Sequence, residues 1–262
     1  MSYEIVHEKD EIEAFLRKDV PLHIYELGDL DDFYWPHTIW YAMRESGKML
    51  ALVIVYTAEE LPAILALCDG KDVSIYGELM RSISHLIPIR FYLHGTPGIE
   101  KVLSHSYGLT PIGAHHRMLI KNAAPLAGVN TSSVSPFSIG DIEELIAFYE
   151  LSYPGYNLSM SLVKVDMYWG VKKDSRIVSA GGVHVYSQRY GVAALGNIAT
   201  HPDFRGRGLG TAVTAKLCKV LSGSVERIAL NVRTDNAAAI NMYRRLGFGI
   251  EFELNLYKAE KR

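Results

Sequence analysis

The sequence predicts an α+β fold, a mixed and mostly antiparallel sheet with flanking helices. Three observations predict it. Apolar runs of strand length come in pairs joined by tight polar turns, the grammar of antiparallel hairpins. A glycine-rich turn joins an apolar strand to an amphipathic helix. The same order of elements then runs through both halves of the chain.

Taken in order, residues 10–16 open with acidic side chains and read as an amphipathic helix. Residues 40–44, the turn Ser46-Gly47 and residues 49–56 read as strand, tight turn, strand. Residues 61–68 form the next strand, 73–87 a helix and 90–94 another strand. Residues 99–109 end in Tyr107-Gly108-Leu109. The stretch 121–135 is small and polar with no sustained period, and reads as a linker.

Beyond it the order returns. Residues 141–146 match 10–16, and 167–171, Asp174-Ser175 and 177–186 match the first hairpin. Residues 191–200 are an apolar strand, and Leu209, Val213, Leu217 and Leu221 then recur at helical spacing. A strand follows over roughly 227–232, and after it a short helix with Ala239, Ile240, Tyr243 and Leu246 on one side. Asn236 can cap that helix and Gly247 can stop it. The expected division is 1–122 and 134–262. For the first half an unrelated α+β domain is the alternative to a repeat.

At 262 residues, 48% of them hydrophobic, the chain can bury the cores of one large or two small domains. A net charge of −2 with scattered basic residues argues against a nucleic-acid binder. Cys68 and Cys218 sit in apolar settings as small buried hydrophobes, so neither a disulfide framework nor a metal site is expected. Apolar runs such as 49–56 are too short to span a membrane, and the N-terminus lacks a signal-peptide pattern. A cytoplasmic monomer or homodimer is the expectation, with no membrane partner.

The chemistry lies in Arg205-Gly206-Arg207-Gly208-Leu209-Gly210-Thr211, between strand and helix. The first amides of a helix have no internal partner, and its dipole adds about half a positive charge. Glycines let backbone close round an anion, and Arg205 and Arg207 add mobile positive charge, so a pyrophosphate is the natural ligand. A mononucleotide P-loop needs a Lys after its last glycine, where this chain has Thr211. A dinucleotide fingerprint needs a third glycine at Thr211 and an acidic residue at the end of the next strand; this strand ends in Asn231, Val232 and Arg233.

Arg205, Gly208 and Gly210 meet the pattern R-x-x-G-x-G. Asn236, Ala239, Tyr243, Leu246, Gly247 and Phe248 meet N-x-x-A-x-x-x-Y-x-x-L-G-F. In this order and at this separation, the two make residues 134–262 resemble the GNAT superfamily of N-acetyltransferases. The resemblance implies tandem GNAT-like domains and acetyl-CoA as co-substrate. It also implies a parallel strand pair that splays apart to admit the pantetheine arm. Ile198 and Thr200, with Ala199 between them, then line the arm, and loop amides from Arg207 to Thr211 take the pyrophosphate. Asn236 and Ala239 stand at the cofactor as well, Asn236 as cap, contact or both. Tyr243 is implied as the general acid that protonates the leaving thiolate.

The general base is open among His184, Glu150 and a water chain, because the strand 193–200 carries no acidic residue. Tyr153, Tyr156 and Asn157, with His184, are candidate acceptor contacts. The acceptor is an amine of a small molecule or a protein. A non-catalytic acyl-CoA-binding protein on the same fold, or a transferase of a longer acyl chain, remains the alternative. In the first half, Asp69-Gly70-Lys71-Asp72 replaces the glycine turn and Ser104 stands where Tyr243 would. Those replacements make it a degenerate copy without a cofactor site.

Overall fold

The computed structural model describes residues 1–155, 158, 163 and 167–262. The chain divides into two units. One comprises residues 1–117, 232–235 and 251–262, and the other residues 118–231 and 236–250. This differs from a single cut between 122 and 134: two short returns from the end of the chain belong with the first unit. A strand's own period does not announce such a return, because it says which residues face inward and not which neighbour the strand will find.

In the first unit, β1 (Ser2–Val6), α1 (Lys9–Leu16) and α2 (Ile24–Asp29) precede β2 (Thr38–Glu45), β3 (Lys48–Tyr56) and β4 (Ala63–Ala66). Then come α3 (Val73–Ser82), β5 (Arg90–Gly95), α4 (Ile99–Leu103) and β6 (Tyr107–Ile120). The pairs β1–β2, β2–β3 and β3–β4 are antiparallel, and β4–β5 is parallel. Ser46 and Gly47 both take positive φ, 49° and 80°, as in the type I′ turn that suits a twisted hairpin. Val53, Val55, Ile64, Phe91 and Leu93 from the strands bury against Leu79 and Met80 of α3.

The second unit holds α5 (Ala124–Ala127), β7 (Ser135–Pro136), α6 (Ile142–Ser152), β8 (Tyr168–Lys173), β9 (Arg176–Ser187) and β10 (Val192–Thr200). α7 (Leu209–Leu221), β11 (Arg227–Arg233), α8 (Ala237–Arg245) and β12 (Phe248–Lys261) complete the chain. Here β7–β8, β8–β9 and β9–β10 are antiparallel and β10–β11 is parallel. The succession is that of the first unit, and Asp174 and Ser175, with φ of 48° and 61°, repeat its turn. The stretch 121–135, expected as a linker, is instead fixed: Leu126 and Val134 are buried, and Lys219 Nζ bonds the Val129 carbonyl at 2.9 Å. Two buried apolar residues in fifteen are too few to show a period.

The parallel pairs of the two units differ. In the first, β4 and β5 stay together past their ladder. Thr96 N–H bonds the Ala66 carbonyl, and its hydroxyl accepts from Cys68 N–H and donates to Cys68 C=O, both at 2.9 Å. The following turn, Gly70–Asp72, is capped by the Asp69 carboxylate, which accepts from the Lys71 amide at 3.4 Å. Finally, residues 255–260 of β12 pair antiparallel with residues 90–95 of β5, so the first unit takes its last strand from the far end of the chain.

Candidate active site

The second unit's parallel pair comes apart. The β10–β11 ladder runs from Val192–Arg227 to Leu195–Leu230 and stops, while β10 continues to Thr200. On its other edge β10 stays with β9 but shifts register between Gly196 and Ala199, where Asn197 takes φ of +54°. That is a bulge, and Asn is among the few residues with a side chain that tolerate this conformation. Beyond it the His201 amide donates to Val178 of β9 at 2.9 Å. With a period of two, the amides of Thr200 and Ile198 point the other way, to the open edge. Ala199 faces β9: it is buried, and its carbonyl accepts from Ser179 Oγ at 2.9 Å. Of the three residues expected along the arm, two present backbone to the cleft.

The glycine turn follows directly. Residues 202–204 form a 3-10 turn capped by His201 Nδ1, which accepts from the Asp203 amide. Gly206 and Gly208 both take positive φ, 75° and 76°, and a Cβ on either would meet nothing within 4 Å. The turn thus has the left-handed backbone that glycine adopts freely, and open space in front of it. Gly208 is the N-cap of α7, and the Ala212 amide makes the first helical bond, to the Gly208 carbonyl. The amides of Leu209, Gly210 and Thr211 precede that bond and have no partner inside the helix.

The two arginines are held, in contrast to the mobile charges expected. Arg205 Nε donates to the Thr200 carbonyl at 3.1 Å and its Nη2 to the Ser152 carbonyl at 3.3 Å. Arg207 bonds the Asp203 carbonyl and lies 5.1 Å over the Phe204 ring. Arg205 therefore ties the end of α6 to the end of β10, and Tyr153, the next residue after Ser152, is exposed. A guanidinium finds backbone carbonyls wherever a tight turn leaves them unpaired, and sequence spacing does not show where those are.

At α8, Asn236 Oδ1 accepts from the Ala239 amide at 3.1 Å, so the capping role is observed. Tyr243 is buried on the inner face with Ile240, its ring 5.8 Å from that of Phe248. The helix stops at Gly247 with φ of +93°, and a Cβ there would lie 1.8 Å from the Asn122 carbonyl oxygen. Only glycine fits that approach. Tyr156 and Asn157 lie outside the described residues.

Sequence reasoning missed what stands under the bulge. The Tyr149 hydroxyl donates to the Asn197 carbonyl at 2.9 Å, and Asn197 Nδ2 donates to the Tyr168 hydroxyl at 3.0 Å. All three residues are buried. Burial pushes the Tyr149 phenol well above its ordinary value. His184 of β9 bonds the Asn197 side chain and lies against Gly196: a Cβ on that glycine would sit 2.0 Å from Nε2. His184 is exposed. Desolvation by its neighbours lowers its pKa, and the bond to Asn197 opposes the shift. The signal in the sequence was Gly196-Asn197 inside an apolar strand, a bulge signature.

A separate hollow of about 640 Å³ lies between α6, the β8–β9 turn and residues 201–204. Its wall includes Glu144, Leu151, Arg176, His201 and Phe204, but neither Tyr243, His184 nor the glycine turn, so the chemistry described above is not in it. Among the described residues, no group of three His, Cys, Asp or Glu side chains is placed to hold a metal. No described helix is long and apolar enough to cross a membrane.

The family model of the GNAT acetyltransferases matches residues 140–248. Residues 140–248 are a GNAT acetyltransferase domain. An acetyltransferase of Pectobacterium atrosepticum is 42% identical over 52 residues, 20% of this chain and 37% of that one. An uncharacterized N-acetyltransferase of Methanocaldococcus jannaschii is 45% identical over 58 residues, 22% of this chain and 26% of that one. The chain thus spans well under half the length of these curated relatives. Among solved structures, a GNAT-family protein of Novosphingobium aromaticivorans superposes with a TM-score of 0.63 at 18% identity, covering 93% of this chain and 100% of that one. A tandem GNAT protein from the clavulanic acid biosynthesis pathway gives 0.56 at 12% identity, covering 99% and 98%. These likenesses concern the fold alone, and they cover both halves of the chain.

Proposed function

We propose that the second unit transfers the acetyl group of acetyl-CoA to a primary amine, by direct attack in a ternary complex. The observation that carries this reading is the parting of β10 from β11 after Leu195, on the strand that runs straight into the open glycine turn.

Each residue has a task that follows from its place. The amides of Leu209, Gly210 and Thr211 bind the pyrophosphate, assisted by the α7 dipole. Gly206 and Gly208 keep the approach clear. The amides of Ile198 and Thr200 pair with the pantetheine arm as an added strand would, and one of them bonds the thioester carbonyl and favours its oxyanion. Arg205 braces the cleft by fixing Thr200 to Ser152. Tyr243 gives its phenolic proton to the departing thiolate. A phenol near pKa 10 transfers a proton to a thiolate near 8.5 as charge builds on sulfur.

The first unit, on this reading, keeps the topology and has no cofactor site. Thr96 closes its parallel pair where the second unit's opens, and the Asp69 carboxylate occupies the turn amide that a phosphate would need.

The test is release of free thiol from acetyl-CoA by the full chain across a panel of amines. Amine-dependent thiol release with formation of the acetylated amine is expected. Binding of acetyl-CoA without transfer to any amine would make the protein an acyl-CoA binder instead.

A further inference from the structure

The acetyltransferase reading leaves one proton without a destination. A primary amine arrives largely as ammonium at neutral pH, and only its neutral form attacks. The strand entering the turn offers no carboxylate.

The wall of the cleft offers an imidazole. His184 lies on the backbone of Gly196, the residue directly after the last β10–β11 ladder pair at Leu195. The ring therefore stands where the two strands part, beside the place where an arm threaded between them turns its thioester inward. The ring is exposed, so an acceptor can reach it. It is also held. Among the described residues, the groups facing it are neutral: Gly196 and Asn197 on β10, with Tyr168 of β8 and Tyr149 of α6 behind Asn197.

Asn197 holds the ring. Its Nδ2 donates to the Tyr168 hydroxyl, and its side chain also bonds His184. Neutral imidazole keeps one ring nitrogen with a lone pair. Asn197 cannot itself turn away, because it is buried, its carbonyl is bonded by Tyr149 and its backbone sits in the left-handed well.

Resting on the acetyltransferase reading, we infer that His184 is the catalytic residue that takes the proton from the acceptor ammonium, and that Asn197 is its positioning residue. The balance is simple. One ammonium proton passes to the free ring nitrogen and on to water. The neutral nitrogen attacks the acetyl carbon, the C–N bond forms and the C–S bond breaks. The second proton, shed as the amide forms, balances the one taken up by the thiolate.

The test uses the full chain, acetyl-CoA, and benzylamine, spermidine and an unblocked tripeptide as amines, with kcat/KM followed from pH 5.5 to 9.5. His184→Gln should lose about 10²-fold at pH 7. The deficit should shrink as pH rises, because solvent then supplies neutral amine. Gly196→Ala keeps the histidine and displaces its ring, so it should show the same pH-dependent deficit with unchanged CoA affinity. Asn197→Asp keeps a residue that tolerates positive φ and sets a carboxylate on the ring, so the acid limb should move to higher pH. A His184→Gln profile parallel to wild type at every pH, or with wild-type rates, overturns the assignment while leaving the transferase reading intact. A wild-type chain that binds acetyl-CoA and acetylates none of the amines overturns that reading, and this inference with it.

Discussion

The Thr96 hydroxyl stands 2.9 Å from both the amide nitrogen and the carbonyl oxygen of Cys68. One side chain thus spans the gap between parallel strands that the second unit leaves open. Calorimetric titration of the full chain with CoA should give one site, and a stoichiometry of two would show that the first unit binds as well. Thr96→Val keeps the shape and leaves both Cys68 groups without that partner. It should cost about 1–3 kcal/mol in chemical denaturation, without creating a second CoA site.

The glycine turn can be tested by charge and by strain separately. Gly208→Asp should abolish most CoA affinity, since it sets a carboxylate at the mouth of the turn. Gly208→Ala adds only a Cβ at φ of +76°, into open space. It should cost about 1 kcal/mol of stability and far less affinity than the aspartate. Equal affinities for wild type and Gly208→Asp would remove the pyrophosphate from this turn.

Tyr243→Phe keeps the buried ring and removes the hydroxyl. A proton donor acts only as the thiolate leaves, so kcat and kcat/KM should fall together, by about 10²-fold, with CoA affinity unchanged. If more than half the activity survives while chemistry limits turnover, Tyr243 is a packing residue.

Gly247→Ala must move the Asn122 carbonyl, which lies 1.8 Å from the new Cβ, and must hold alanine at φ of +93°. Strain and displacement together should cost more than about 2 kcal/mol, read as a fall in denaturation midpoint. A change below 0.5 kcal/mol would mean that the end of α8 yields freely.

Both thiols should be silent. Burial pushes Cys68 up to about 11 and Cys218 up to about 12, and neither is paired in a disulfide. The thiolate is the reactive form, so a disulfide reagent at pH 8 should label neither cysteine in the folded chain and both after denaturation. Rapid labelling of the native protein would show that one of these cores opens.

Hairpins, helices and the glycine turn were legible because each is written in a local period or a local punctuation mark. The turns at Ser46-Gly47 and Asp174-Ser175 are polar pairs between apolar runs, and both proved to be positive-φ turns. Gly208 at the head of α7 and Asn236 at the head of α8 stand where capping chemistry puts them. What stayed hidden depends on residues distant in sequence. Arg205 looked like a free charge and is spent on Ser152 and Thr200 carbonyls. His184 is a candidate base or acceptor contact by residue type, but its setting comes from the register shifts between β9 and β10, one of which falls at His184 itself. Nothing local in the sequence marks Tyr149, whose hydroxyl bonds the Asn197 carbonyl at the β10 bulge.

Asn255 of β12 faces Gly95 of β5 across about 160 intervening residues. A ribosome making this chain finishes β5 long before it makes the strand that borders it. The N-terminal sheet must wait with an unpaired edge while the acetyltransferase domain is synthesised, and unpaired edges invite wrong neighbours. Gene fragments cut between the halves should inherit the same exposed edge permanently. The order of elements invites a reader to divide this chain in the middle; its assembly runs instead from both ends.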